Sequence, residues 1–159
     1  TMNTSDQSLF PIDSAFKRRW DWKYVPIVDA GKNWKIKAGE TTYDLWKFIE
    51  AINEQINITT SSEDKKSGYF FCKPCEGDSI LATKFVNKVI FYLWNDVFKD
   101  YELPDAFKKA DGHGHMSFND FYTKQDDCIH QLMKNLKVQP DGQAEEPEVI
   151  EEPTEEIDA

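Results

Sequence analysis

The sequence predicts three unlike regions: a short α/β segment over residues 1–29, a mainly α-helical domain over 30–139, and a disordered acidic tail over 140–159. Three observations lead there. Apolar residues recur at helical spacing in two long stretches, 42–56 and 83–98. Residues 22–27, Trp-Lys-Tyr-Val-Pro-Ile, alternate in the manner of a strand, with Pro26 confining it to an edge or an end. Charge is spread very unevenly along the chain.

Residues 1–10 read as the end of a strand entering a loop, and Asp13 as the N-cap of a short helix over 14–19. A polar, Lys-rich connection follows over 30–39. The first clear helix is 42–56. Its Leu45, Ile49, Ile52 and Ile56 step by four, three and four, and Thr41 with Asp44 suggests a capping box. Residues 58–67 are a polar loop, 68–72 a short extended apolar run, and 74–78 a turn. The strongest helix is 83–98. Its apolar positions Phe85, Val86, Val89, Ile90, Leu93, Trp94, Val97 and Phe98 form a stripe wide enough to meet more than one neighbour. Pro104, Gly112 and Gly114 break up 99–116. Ser117 then caps a last helix with Phe118, Phe121, Ile129, Leu132, Met133 and Leu136 inward.

The net charge of −10 belongs to the tail. Asp141, Glu145, Glu146, Glu148, Glu151, Glu152, Glu155, Glu156 and Asp158 stand there with no Lys or Arg, and the rest of the chain keeps 20 acids against 19 bases. A nearly neutral body provides no global electrostatic case for nucleic-acid binding. The tail has three prolines and only Val149, Ile150 and Ile157 as larger aliphatics. Such a composition buries too little apolar surface to offset chain entropy. No window approaches the ~18 apolar residues of a membrane span, and without a basic stretch leading into an apolar run no secretory signal is expected. Three cysteines form no disulfide framework, which fits a reducing cytoplasm. The chain opens inside a motif, so it is expected to be a piece of a longer protein.

That motif is Thr1-Met-Asn-Thr-Ser-Asp-Gln-Ser8, then Ile12-Asp-Ser-Ala-Phe-Lys-Arg-Arg-Trp20. It resembles the second half of the nucleotide-hydrolysing domain of AAA+ ATPases, and within them the McrB-like and dynein-related branch. There the pattern runs Thr-Met-Asn-Thr-x-Asp-Arg-Ser, then Asp-x-Ala-x-x-Arg-Arg-Phe. Gln7 departs from it, standing where the branch usually has Arg. The resemblance is specific over residues 1–27. It continues more weakly through Gly68-Tyr-Phe-Phe71 and the 83–98 helix, which look like that branch's helical lid.

The resemblance implies an α/β remnant of an AAA+ core, residues 1–29, followed by a mainly α-helical lid. It implies hydrolysis of GTP or ATP with Mg in a homo-oligomeric ring, a hexamer, of the full-length protein. A nuclease effector subunit would be the partner, and DNA would be engaged indirectly, as in modification-dependent restriction systems. Asn3 would be the sensor amide holding the attacking water or the γ-phosphate, a role suited to a group that donates and accepts together. Arg18 and Arg19 would be arginine fingers reaching a neighbouring subunit's nucleotide, since a guanidinium forks onto phosphate oxygens. Lys66, or its neighbour Lys65, would be the basic lid residue that contacts phosphates. The Gly-x-x-x-x-Gly-Lys-Ser/Thr loop is not in these 159 residues, so the fragment by itself is expected to be inactive and to bind no cofactor.

Two other signals stand beside this one. Cys72-Lys-Pro-Cys75 is half of a zinc site or a redox pair, with Cys128, His113 and His115 as further donors. The His-Gly-His spacing does not fit the usual zinc pattern, and the cysteines read as incidental, with no metal bound. Lys32, Trp34, Lys35 and Lys37 form a small basic–aromatic cluster that reads as a solvated loop, with DNA contact as the alternative. The rival functional class is a non-catalytic helical interaction domain with an acidic tail, stabilised by zinc.

Overall fold

The computed structural model describes Arg18, Arg19, Asp21 and residues 23–142. A three-stranded sheet with helices packed against it organises these residues. Strand β1 (Lys35–Ala38) turns into β2 (Thr41–Asp44) through Gly39-Glu40. Gly39 takes a φ of 57°, the left-handed value that such a two-residue hairpin needs at its first central position. Helix α1 (Leu45–Thr60) follows directly. After the crossover, β3 (Ser79–Leu81) pairs parallel with β1, giving the order β2-β1-β3. Ile36 pairs with Ile80, and both are fully buried.

The hairpin differs from the expected polar connection over 30–39. Trp34, Ile36 and Ala38 alternate with Lys35 and Lys37, a period-two pattern short enough to pass as a charged loop. The expected strand at 22–27 has no counterpart among the described residues: 23–30 runs without ladder pairing. Pro26 contributes no donor there, and Ile27 instead packs against the core as a single partly buried side chain. The start of α1 also differs. Asp44 itself is the N-cap, its carboxylate accepting from the Trp46 and Lys47 amides. Two extra amides satisfied at the helix entrance outweigh continuing the helix back to Thr42.

The four apolar residues expected inside α1 are buried, together with Phe48. Helix α2 begins as Ala82–Phe85 and continues through two π-helical turns, Val86–Ile90 and Leu93–Val97. The Phe98 amide bonds back five residues, to Leu93 O at 2.9 Å. Each π turn inserts one residue into the helical register. That lets Phe85, Val86, Val89, Ile90, Leu93 and Val97 all stay buried on one helix. The run 68–72 is not extended but folds into turns, with Phe71 N donating to Gly68 O.

The last helix expected from the sequence is two helices, α3 (Phe118–Thr123) and α4 (Gln125–Asn135). Ser117 caps the first with a full capping box to Asp120. The break falls at Lys124, whose backbone is non-helical (φ −125°, ψ 54°). Phe107, from a 3-10 turn at Asp105–Phe107, joins this end to α2. Its buried ring lies edge-on to Trp94, Phe98 and Phe121, with centroids 6.0, 5.7 and 6.0 Å away. Beyond α4 the chain returns to the sheet, where Pro140 bridges Tyr43 and Asp141 N donates to Thr42 O at 2.9 Å. The first residues of the region expected as a tail are therefore tied to β2. Residues 143–159 lie outside the described residues.

Candidate functional site

The segment 61–67 sits between α1 and the end of α2, and Asn53 of α1 decides where it lies. Asn53 Oδ1 accepts from Ser67 N at 2.7 Å, and Asn53 Nδ2 donates to Ser67 O at 2.9 Å. One side chain thus satisfies both main-chain groups of a residue that is only 3% exposed. Nothing in the spacing of 53 and 67 announced this latch, because the pairing depends on how the loop returns to the helix.

The latch separates the two lysines considered for a lid role. Lys65 turns toward α2. Its Nζ donates to Val97 O at 3.2 Å and lies 4.5 Å from the centre of the Tyr101 ring, and its carbonyl accepts from Tyr92 Oη at 3.0 Å. A cation on the orphan carbonyls at a helix end suits the dipole, so Lys65 is a structural cap. Lys66 faces the other way. It lines a cleft of about 360 Å³ shared with Tyr24, Trp46, Asn53, Glu54 and Asn57. Its Nζ pairs with Glu63 Oε1 at 2.5 Å. The Glu63 side chain is 59% exposed, so water already solvates that carboxylate, and pairs of this kind contribute at most about 1 kcal/mol. Chemically the cleft offers one exchangeable cation, an aromatic wall, two amides and acidic groups.

Of the remaining sequence-predicted residues, Asn3 lies outside the described residues. Arg18 and Arg19 are in an exposed turn and make no ion pair among the described residues. No contact among the described residues brings either arginine to Lys66.

The cysteines are separated by environment. Cys72 is buried, and burial pushes its thiol up against the opposing pull of Lys84 and Lys88. Cys75 is exposed and its Sγ receives Lys84 Nζ at 3.2 Å. Cys128 is buried and also pushed up by burial. His115 bridges Lys108 in a separate hairpin, and His113 is exposed. Among the described residues, no group of three or more His, Cys, Asp or Glu is placed to hold a metal.

The basic–aromatic cluster at 32–37 is also divided. Lys35 Nζ is committed to Asp44 at 3.0 Å and Asp141 at 3.1 Å. Burial works against its charge, but the two carboxylates outweigh burial and raise its pKa above the ordinary value. Burial likewise opposes ionisation of Asp44, and the Lys47 amide, Lys35 and the Trp46 amide reverse it, holding this carboxyl below its usual range. Trp34 instead stacks on Tyr69, with ring centroids 5.4 Å apart.

No helix among the described residues is long and apolar enough to cross a membrane. No protein-family model matches the chain, and no solved structure matches it. The chain is similar to the type II restriction enzyme BsuMI component YdiS of Bacillus subtilis (strain 168), at 37% identity over 106 residues. That match covers 62% of this chain and 30% of the relative, so the chain spans less than a third of the length of the curated protein it resembles.

Proposed function

We propose that this chain is the C-terminal part of a ring-forming AAA+ nucleoside triphosphatase that serves a restriction system. The observation that carries the restriction-system part of the reading is its 37% identity to a restriction-enzyme component; the AAA+ part rests on the Asn3 and Arg18-Arg19 pattern at residues 1–20. Nucleotide, as GTP or ATP with Mg, would bind at subunit junctions of the full-length protein. In such a ring Arg18 and Arg19 would stabilise charge on a neighbour's transferring phosphate, and Asn3 would hold the attacking water. Lys66 would contact phosphate oxygens from the helical side by releasing Glu63. The geometry favours Lys66 over Lys65 for this role, because Lys65 is occupied at Val97 and Tyr101. A nuclease subunit would be the partner, and DNA the ultimate target.

The test uses the full-length protein. Arg18→Ala or Arg19→Ala is expected to lower kcat by about 100-fold or more while nucleotide affinity stays within several-fold. Mixing either variant with one defective in phosphate binding should partly restore turnover, because the two lesions then fall on different junctions. Wild-type kcat in both arginine variants, or a monomer that shows no nucleotide-dependent assembly, defeats the proposal. Either result would favour the non-catalytic interaction domain.

A further inference from the structure

Trp34, from the basic–aromatic stretch at 32–37, packs against Tyr69 and Phe70, which belong to a second such stretch far along the chain. Trp34, just ahead of β1, stands edge-on to Phe70 with ring centroids 5.7 Å apart. Phe70 is 53% exposed, and Lys73 Nζ lies 5.2 Å from its ring centre. The next ring, Phe71, has Lys88 Nζ at 5.5 Å. Lys84, one turn before Lys88 on α2, reaches the same loop at Cys75. Lys73, Lys84 and Lys88 make no ion pair among the described residues. Two acids share this loop, Glu76 and Asp78, and the Asp78 carboxylate accepts from Ser79 Oγ at 3.1 Å.

This combination is hard to explain by folding alone. Lys84 and Lys88, at i and i+4, repel one another on the helix surface. The Phe70 ring packs edge-on to Trp34 and Tyr69, yet about half of it stays in water beside lysines that no carboxylate pairs among the described residues. A polyanion carrying flat apolar groups satisfies both features. We propose that the face running from Trp34 through Phe70 to Lys88 binds single-stranded nucleic acid. A base stacks on Phe70, and the flanking phosphates meet Lys73, Lys84 and Lys88. An unpaired strand fits better than a duplex, because its bases can leave the stack and reach a protein ring. It also fits better than an acidic peptide, which matches the lysines but offers the ring no π surface. Lys35 takes no part, since Asp44 and Asp141 hold it. This binding goes beyond nucleotide turnover and does not depend on it.

The test is the fluorescence anisotropy of a labelled 20-mer oligothymidylate with the 159-residue chain, over a series of salt concentrations. Phe70→Ala should weaken binding by about 5- to 150-fold, the range for removing one base–aromatic stack, with the salt slope unchanged. Lys84→Gln with Lys88→Gln should reduce the slope of log Kd against log salt by about 1.4, roughly 0.7 for each phosphate left unneutralised on a single strand. Far-ultraviolet circular dichroism should show both variants folded, and Lys108→Gln, away from this face, should bind as the parent does. The proposal is overturned if the parent chain does not bind at low salt, or if folded Phe70 and Lys84/Lys88 variants bind as well as it does. Equal competition by a polyglutamate peptide of matching charge would also overturn it, by giving the face to an acidic protein segment.

Discussion

Two irregular segments are fastened to this fold by opposite chemistry. Residues 61–67 are held by a neutral amide: Asn53 takes both main-chain groups of buried Ser67. Residues 140–142 are held at the surface by charge, through Lys35, Asp141 and Thr42, with side chains of Lys35 and Asp141 26% and 33% exposed. A neutral bidentate pairing barely responds to salt or pH, and its loss leaves the main-chain groups of buried Ser67 unmet. A half-exposed ion cluster responds to both, and water replaces much of it once broken. The first kind of fastening holds Lys66 on the cleft side and Lys65 on the α2 side.

The largest effect expected from this contrast is at Asn53. Asn53→Ala removes two hydrogen bonds and strands a buried N–H and C=O, so it should cost about 2–4 kcal/mol. For a domain of this size that is a fall in Tm of roughly 4–16 °C, measurable by calorimetry. The loss should be nearly the same at low and high salt. A strongly salt-dependent loss would erase the distinction between the two fastenings.

A smaller effect belongs to the strap. A chain ending at residue 139 should be less stable than one ending at residue 142 by about 1–2 kcal/mol, because it can no longer bond to Thr42 and Lys35 or bridge Tyr43. Adding salt should narrow the gap between the two chains in parallel denaturant titrations. Equal midpoints would mean that the strap rests on the sheet without stabilising it.

The pH profile follows from the same cluster. Asp44 has a depressed carboxyl, so its contribution is present above the ordinary value of 3.8 and is lost as pH falls through the lower folded value. Lys35 has a raised pKa, so its contribution is full below the ordinary 10.5 and is lost as pH rises through the higher folded value. Stability should therefore fall at both extremes and stay level between them where this cluster is concerned. Asp44→Asn should flatten the acid limb, as measured from urea midpoints against pH.

The smallest expected change in stability is at Lys66. Lys66→Met breaks only the pair with exposed Glu63 and should alter stability by less than about 1 kcal/mol. A larger loss would make Lys66 structural, like Lys65, and leave the cleft without a free cation.

Much of the helical frame was legible in the chain. Leu45, Ile49, Ile52 and Ile56, and the broad stripe from Phe85 to Phe98, are long periodic signals, and Ser117 announced a cap that forms as expected. The missed strands share a cause. Strands of three and four residues carry too few side chains for their alternation to stand out, and β3 is a strand only because β1 lies beside it. The same holds at the candidate site, where the residue type suggested a basic contact but could not separate Lys65 from Lys66.

By itself, then, the sequence determined what local patterns can specify: that α1 and α2 form, which of their faces turn inward, and where Ser117 starts α3. The tertiary structure alone decided what depends on residues distant in the chain. It placed Asn53 on Ser67, 14 positions away, Asp141 on Lys35, 106 positions away, and Trp34 against Phe70. Periodicity records which face of an element avoids water. It carries no record of which loop will return to that element, because loop closure is settled by the packing of the whole chain and by the need to satisfy each buried polar group.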